Sequence, residues 1–562
     1  MKNKRGVALV ISMSAMTIIS ALSAVYVTRA IQEKSMSALE INSAKVVYTA
    51  EAGANEGLLS IYNLINYYML NTVSSTAPTT VSAQAASYAT AKDGVGFLVT
   101  YVKNGSTALL TQSGGEAVYT STYGALDGGS YVYTIRIGQK SDPTSPSANV
   151  WDFPYYFKLQ TTATYSGMTK KTTLNGDFTV QVQKDNFARY SLFTNHQTME
   201  NGTKVWFTSK TNFQGPMFTN ERFNFAYNPS GIFDGAVKQA NTTAAFYNNG
   251  STVYLDASSN GTRDVPVFTS GFQRGVSSIS MPTSTQESDM VSEVTNGTTY
   301  STNGIYVTNA AGSVTGGIYI RGNSTVAMGV DASNRQTLTI VQGTTTKVIT
   351  LDRSANQTLV KQGATTTTYT GLPDGVHDAG VIVYNYGTIT SLSGTVQGDT
   401  QMTIATSSDV VISGNVLYQN YTAGSGTVGD TDYIAPSASG YDNLLGLVSW
   451  SGDVRIASTA PSDVTICATL LAKTGVVQVD NYDSIAVRGV ATILGGVISN
   501  YYGAFGTFNS SSGTAASGYG RNFVYDTRME EMLTPPYFPT TNTFIAFTNN
   551  IGDHLAWQEG GF

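Results

Sequence analysis

Histidine and cysteine are almost missing from this sequence. One cysteine, Cys467, stands in the apolar run VTICATLLA, and only His196, His377 and His554 supply imidazole. A lone thiol cannot close a disulfide within the chain, and four such ligands scattered over 562 residues have no zinc-site spacing. Cys467 reads as a buried strand residue. The stretch DGVHDAG, with Asp374, His377 and Asp378, has acid/base or metal-loop composition but reads as a solvated turn. Charge is scarce too: Asp, Glu, Lys and Arg make up 12%, about half the usual share. The net charge of −6 is spread without long runs, which excludes the clustered basic surface of a nucleic-acid binder. No Gly-x-Ser-x-Gly elbow, phosphate loop or dinucleotide fingerprint occurs. No catalytic residue, cofactor or metal ligand is expected.

Gly, Ser, Thr, Asn and Tyr take the place of charge. Thr, Val, Ile and Tyr favour strands, and Gly and Asn favour turns. At 562 residues the chain is too long for one ordinary domain, so two or three are expected. The fold class this predicts is α+β, mainly β.

The α part is at the front. Lys2, Lys4 and Arg5 precede Gly6, and Val7 to Thr28 carries no charge. As a helix these 22 residues reach about 33 Å, enough for a hydrocarbon core of about 30 Å. The basic residues put the start in the cytoplasm and the remainder across the membrane. A secretory signal shares that charge, and Ala21-Leu22-Ser23 has the small residues of a cleavage site. The following segment argues for retention. No proline occurs before Pro78, and apolar side chains recur on one helical face at Leu39, Val46, Ala50, Ala54, Leu58, Ile61 and Ile65. Gly53 and Gly57 lower helix propensity locally. The expectation is one long helix over 7–70, greasy in its first half (7–28) and amphipathic in its second.

Basic residues, then Gly, an apolar run and an amphipathic helix form the layout of type IV pilins and type II secretion pseudopilins. RGVALV, followed some forty residues later by TAEAGANEG, resembles the N-terminus of PilX-type minor pilins over the first 60 residues. By that resemblance residues 1–6 are a leader, and a prepilin peptidase cuts between Gly6 and Val7, leaving the anchor intact. Bulk pilins carry Glu at the fifth mature position; here it is Ile11. An intramembrane carboxylate is costly unless a neighbouring subunit pairs with it. Its absence, shared with GspK-like tip pseudopilins, implies a minor or tip subunit. The resemblance marks Ile11 and Glu51, within the second block, as helix-assembly positions. It implies other pilin-like subunits, the membrane and the peptidase as partners, and a bacterial inner-membrane location with the bulk outside the cytoplasm.

Beyond the helix, residues 71–94 read as a Ser/Thr/Ala-rich linker. Residues 95–185 (GFLVTYVKN, AVYTSTY, SYVYTIRIG, PYYFKLQTTATYSG, TTLNGDFTVQVQ) read as a small antiparallel sheet packed on the helix. Residues 186–528 show short strands, glycine turns and no helical pattern. LGLVSW starts at Leu445, VTICAT at Val464 and VATILG at Val490, successive starts 19 and 26 residues apart. That spacing suggests rungs of a right-handed parallel β-helix, with a β-sandwich or stacked sheets as the alternative. FQGPMFTN, LGLVSWSGDVRI and the late FPTT resemble an uncharacterised domain often fused to PilX-type N-termini, over about Asn186 to Thr541. Residues 529–562 form a proline-marked tail whose aromatics (Tyr537, Phe538, Phe544, Phe547, Trp557) are expected to pack back on the β domain or cap its end.

Acidic residues fall singly at turns: Asp399, Asp409, Asp453, Asp463 and Asp480. Stacked rungs that joined Asp453, Asp463 and Asp480 would make an acid/base pair or a calcium site. The Asn-x-Ser/Thr sites at Asn201, Asn249, Asn260, Asn296 and Asn323 follow from composition. The leading expectation is a membrane-anchored filament subunit displaying a β-rich domain to surface glycans or proteins. The runners-up are a surface-tethered carbohydrate-active enzyme and a plain membrane-anchored envelope protein.

Overall fold

The computed structural model describes residues 4–562, except 123, 148–149, 209–212, 227–230, 248–250, 426–432, 510–513, 530–532, 550, 552–554 and 560–562. Lys2, Asn249 and His554 lie outside the described residues, and only the backbone of Lys4, Arg5, Gly6 and Trp557 is described. The chain divides into two compact units: Met1–Lys184 with Thr543–Phe562, and Asp185–Asn542. The second is inserted into the sequence of the first. The expected tail therefore divides at 542/543, and its last part returns to the first unit.

In the first unit, helix α1 spans Lys4–Asn63 and continues through a π-helical turn, Leu64–Met69, and a last stretch, Leu70–Ser75. The expected linker is largely helical. α2, Pro78–Ala91, opens on its proline, draws propensity from alanine, and ends at Lys92 in the left-handed conformation. Of GFLVTYVKN, expected as a strand, Lys103–Asn104 are extended, while the first six residues lie in α3, Gly94–Tyr101. The Asp93 carboxylate caps it by accepting the Gly96 N–H at 2.8 Å. A short apolar run has no periodicity to separate helix from strand, so the cap decides.

An antiparallel sheet follows: β1 (Thr111–Ser113), β2 (Glu116–Thr120), β3 (Gly129–Gln139), β4 (Val150–Tyr165) and β5 (Met168–Asn186), with the C-terminal strand Thr540–Asn549 beside β5. Alternate residues of β3 (Tyr131, Tyr133, Ile135, Ile137) and β4 (Phe153, Tyr155, Phe157, Leu159) enter one core, as the pleat requires. Val46, Ala50, Ile61 and Ile65 of the helix join them. Leu39, expected on that stripe, is exposed because it lies before the helix reaches the sheet.

The second unit is built mainly of short parallel strands. β6 (Leu192–His196), β7 (Met217–Thr219), β8 (Val237–Gln239) and β9 (Phe272–Arg274) come first. Helix α4, Ser284–Thr295, follows where no helix was expected; Thr283 caps it, and Met290 and Val294 are its buried side. Then come β10 (Ser313–Arg321), β11 (Ser324–Val330), β12 (Gln336–Gln342), β13 (Thr345–Asp352), β14 (Gln357–Gln362) and β15 (Thr365–Thr370). They are followed by β16 (Val381–Tyr386), β17 (Ile389–Val396), β18 (Gln401–Thr406) and β19 (Val410–Tyr418). The last are β20 (Leu444–Ser449), β21 (Val454–Ile456), β22 (Val464–Val479), β23 (Val487–Tyr501) and β24 (Ala515–Val524).

Three rows of inward side chains, aligned by parallel pairing, feed one core. The longest runs Ile318, Val383, Ile404, Leu447, Leu470, Val497 and then Leu192, Met217, Val237, Phe272. A second runs Val326, Leu392, Ile412, Ile456, Val479. The third begins Val416, Ile466, Ile493 and turns aromatic at Phe523, Phe213, Phe233 and Phe268. The chain enters the longest row in its middle, at Leu192, and runs to the Phe272 end. It resumes at the other end with Ile318 and returns to its entry point through β23.

Outward neighbours on that row, including Tyr384, Val448, Leu471, Ile498, Phe193 and Phe218, form a second apolar layer. Met290 and Val294 of α4 and Phe538 of the C-terminal segment complete it. β20 is therefore buried at every position, and its sequence, LLGLVS, is continuously apolar rather than alternating. The C-terminal segment is fastened by side-chain and backbone bonds: the Thr403 hydroxyl donates to the Pro536 carbonyl, and the Phe187 N–H donates to that of Pro539 at 3.2 Å.

Candidate membrane anchor and polar groove

From Val7 to Ile41 every helix residue is exposed. Ile11 is 63% exposed, as are its apolar neighbours to a similar degree. This helix is long and apolar enough to cross a membrane. Gly6 and Val7 are both helical, so the expected processing bond lies within regular helix. Glu51 is exposed, away from the buried stripe.

The second half of the helix meets the sheet through small residues and hydroxyls. A Cβ on Gly53 would lie 2.6 Å from the Thr161 methyl, and one on Gly57 would lie 2.5 Å from Leu159 Cδ1. The two glycines that weaken the helix thus let it approach β4. Tyr131 donates to the Glu56 carboxylate, and Ser60 shares a 2.7 Å hydrogen bond with Tyr133. Residues two apart on a strand and four apart on a helix advance by similar distances, about 6–7 Å, which permits this matched pair. The bond to Glu56, with burial, pushes the Tyr131 hydroxyl up to about 12. Glu56 carried no signal in the sequence beyond its place in the TAEAGANEG block.

On the second row of the second unit, Asp409, Asp453 and Asp480 line one groove of about 510 Å³ with Arg455, Asn481 and Asp483. Arg455, central on β21, bonds Asp409 and Asp480, which adjoin the paired strands to either side, β19 and β22, each at 2.9 Å. Burial raises the Asp453 carboxyl above its ordinary value. Asp463 does not join them. The same local device recurs at three turns: Asp409, Asp453 and Asp463 each offer Oδ1 to a backbone N–H on or beside the adjacent parallel strand, that of Asp453, Val476 and Val490, at 2.8–3.0 Å. Asp399 lies apart, its N–H bonded to Gln397.

The two described histidines each pair with a glutamate. His377 Nδ1 lies 2.5 Å from Glu293 of α4, whose other oxygen accepts the Val376 and His377 N–H groups. His196 lies 2.9 Å from Glu221 and stacks on Tyr501. Cys467 is fully buried, and burial pushes its thiol up to about 12. Among the described residues no group of three or more His, Cys, Asp or Glu has metal-site geometry. A polar feature missed at first is an asparagine ladder: Asn220 donates to Asn195, and Asn195 to Asn500, both at 2.9 Å. The repeated Phe-Thr-Asn of β6 and β7 was its signal.

The profile of a family described as a domain of unknown function (DUF4900) matches residues 152–242. The match begins in β4 and extends past β8. No curated protein and no solved structure matches the chain.

Proposed function

We propose that this protein is a pilin-like minor or tip subunit of a type IV pilus or pseudopilus, anchored in a bacterial inner membrane. The observation that carries this reading is the division of labour along one helix. Residues 7–41 are bare and apolar in their first half, while Val46 to Ile65 dock on an antiparallel sheet. A removed signal has no need of the continuation. In this reading a prepilin peptidase frees Val7, and bare helices pack against those of other subunits; Ile11 offers no charge to a neighbour. The second unit is a parallel β-helix, supported by three aligned rows around one core, and it is the part displayed to glycans or proteins. N-terminal mass analysis of protein extracted from membranes tests the proposal. A chain starting at Val7 supports it. One starting near Val25 indicates ordinary secretion, and one retaining Met1 a plain envelope anchor.

The groove at Arg455 favours a second reading, a tethered carbohydrate-active enzyme. It gathers carboxylates, one of them with a raised pKa beside two ionic partners of an arginine. Release of reducing sugar from polysaccharides, abolished by Asp453→Asn, would support that reading; no release would leave display.

A further inference from the structure

Two hairpins in the second unit repeat each other. Gln336-Thr337-Leu338 leads to the turn Gln342-Gly343-Thr344-Thr345; Gln357-Thr358-Leu359 leads to Gln362-Gly363-Ala364-Thr365. Both turns carry glycine with positive φ, 55° and 60°. Both close on a Gln–Thr pair, Gln342 with Thr345 and Gln362 with Thr365. The outer strand of the first hairpin, β13, gives its far edge to β14 through five pairs, from Val348–Lys361 to Asp352–Gln357. The outer strand of the second hairpin, β15, is its counterpart, but no third hairpin follows. Among the described residues only Thr370 takes a strand partner on that far side, Ser313 of β10. Thr365 to Tyr369 leave an open edge.

Natural edges are guarded by lysine, proline or a bulge. β15 reads TTTTYT and contains none of these; its pairing with β14 is regular through six residues, and Thr365–Thr368 are exposed. It is an unguarded, charge-free, β-branched edge.

We propose that this edge pairs with β15 of a second copy, antiparallel about a two-fold axis through Thr367, joining the two meanders into one sheet. β12, β13 and β14 are each paired on both sides, so β15 is the strand of these hairpins that a second copy has free. Antiparallel pairing of identical strands closes on itself and yields a dimer, not a fibre. It sets threonine opposite threonine at the three central positions, a favourable cross-strand pair, sets Thr365 opposite Tyr369, and opposes no like charges. Five paired residues make a small contact against the usual interface of about 1,600 Å². The pairing therefore needs copies held close together, as on one membrane surface.

The test is oxidative cross-linking of the full chain in membranes, with single cysteines at Thr367, at Thr365 and at the exposed Ser354. Buried Cys467 gives little background. Facing residues of an antiparallel pair have Cα atoms about 4.5–5.5 Å apart, within disulfide reach. Thr367→Cys is expected to give a disulfide dimer and no higher ladder, while Thr365→Cys and Ser354→Cys give none. Adding Thr366→Lys and Thr368→Lys, which face each other across the axis, should cut the dimer at least about fivefold. No dimer above the Ser354→Cys level, equal linking from Thr365→Cys, or an adduct with a different protein would each overturn the proposal.

Discussion

The Oδ1 atom of Asp463 occupies the place a side chain would take at Gly489: a Cβ there would lie 1.9 Å from it. That oxygen accepts the N–H of Val490 at 2.8 Å. Asp409 with Gly452, and Asp453 with Gly475, repeat the arrangement at 2.2 and 2.1 Å. Each aspartate thus fastens one strand end to the neighbouring strand, and each glycine clears the space. Asp463→Ala should cost about 1–2 kcal/mol by removing a charge-assisted hydrogen bond. Gly489→Ala should cost about 1–3 kcal/mol by overpacking. Combined, the two should cost less than their sum, since removing the carboxylate makes room for the methyl. Denaturant unfolding of all three variants checks this.

Gly57 and Leu159 make a second such contact, between helix and sheet. Gly57→Ala gains about 1 kcal/mol of helix propensity but forces Leu159 aside at about 1–3 kcal/mol, so a net loss is expected. Asn55→Ala, on the exposed side of the same turn, gains propensity alone and should stabilise. Thermal melts of the detergent-solubilised protein read both.

Asp453 gives a pH-dependent prediction. Burial raises its folded-state pKa above the ordinary 3.8, so the folded protein binds this proton more tightly than the unfolded chain. Its contribution is fully present below pH 3.8 and is lost as pH rises through the folded value. Asp453→Asn keeps an acceptor for the Val476 N–H and carries no charge to bury. The variant should match the parent at low pH and gain on it toward neutrality. Unfolding midpoints measured across that range decide it; a gap that shrinks toward neutrality contradicts the assignment.

Phe538 lies over Gly446, where a Cβ would sit 2.5 Å from its ring. Phe538→Ala should cost about 3–5 kcal/mol and free the C-terminal segment from the outer layer. Hydrogen exchange should quicken at Phe187, whose N–H bonds the Pro539 carbonyl, while the inner rows stay protected.

The long helix was legible because its stripe, from Val46 to Ile65, has the helical period and meets no proline. The strands of the antiparallel sheet were legible because one face is buried and one is not, so residues such as Tyr131, Tyr133 and Ile135 alternate with polar ones. The parallel strands showed only as apolar runs, since α4 and Phe538 cover their outer face and erase the alternation. Their order was not legible: Asn195 meets Asn500 across 305 residues, and no local pattern records a partner so distant. α2 and α3 were missed because alanine-rich and short apolar stretches carry no period that excludes strand or coil. The groove was half legible. Asp453 and Asp480 were singled out, but their meeting at Arg455 depends on which strands pair.

The central claim is that the bare half of α1 stays in the chain, spans a membrane and leaves the body outside the cytoplasm. Cysteine accessibility in intact cells tests it most directly, using single cysteines at Ile11, Ile19, Ser37 and Ser43 and a membrane-impermeant maleimide. The account predicts labelling at Ser37 and Ser43 and protection at Ile11 and Ile19 until detergent is added. Equal labelling at all four positions, or mature protein from which Ile11 and Ile19 have been removed, would contradict it.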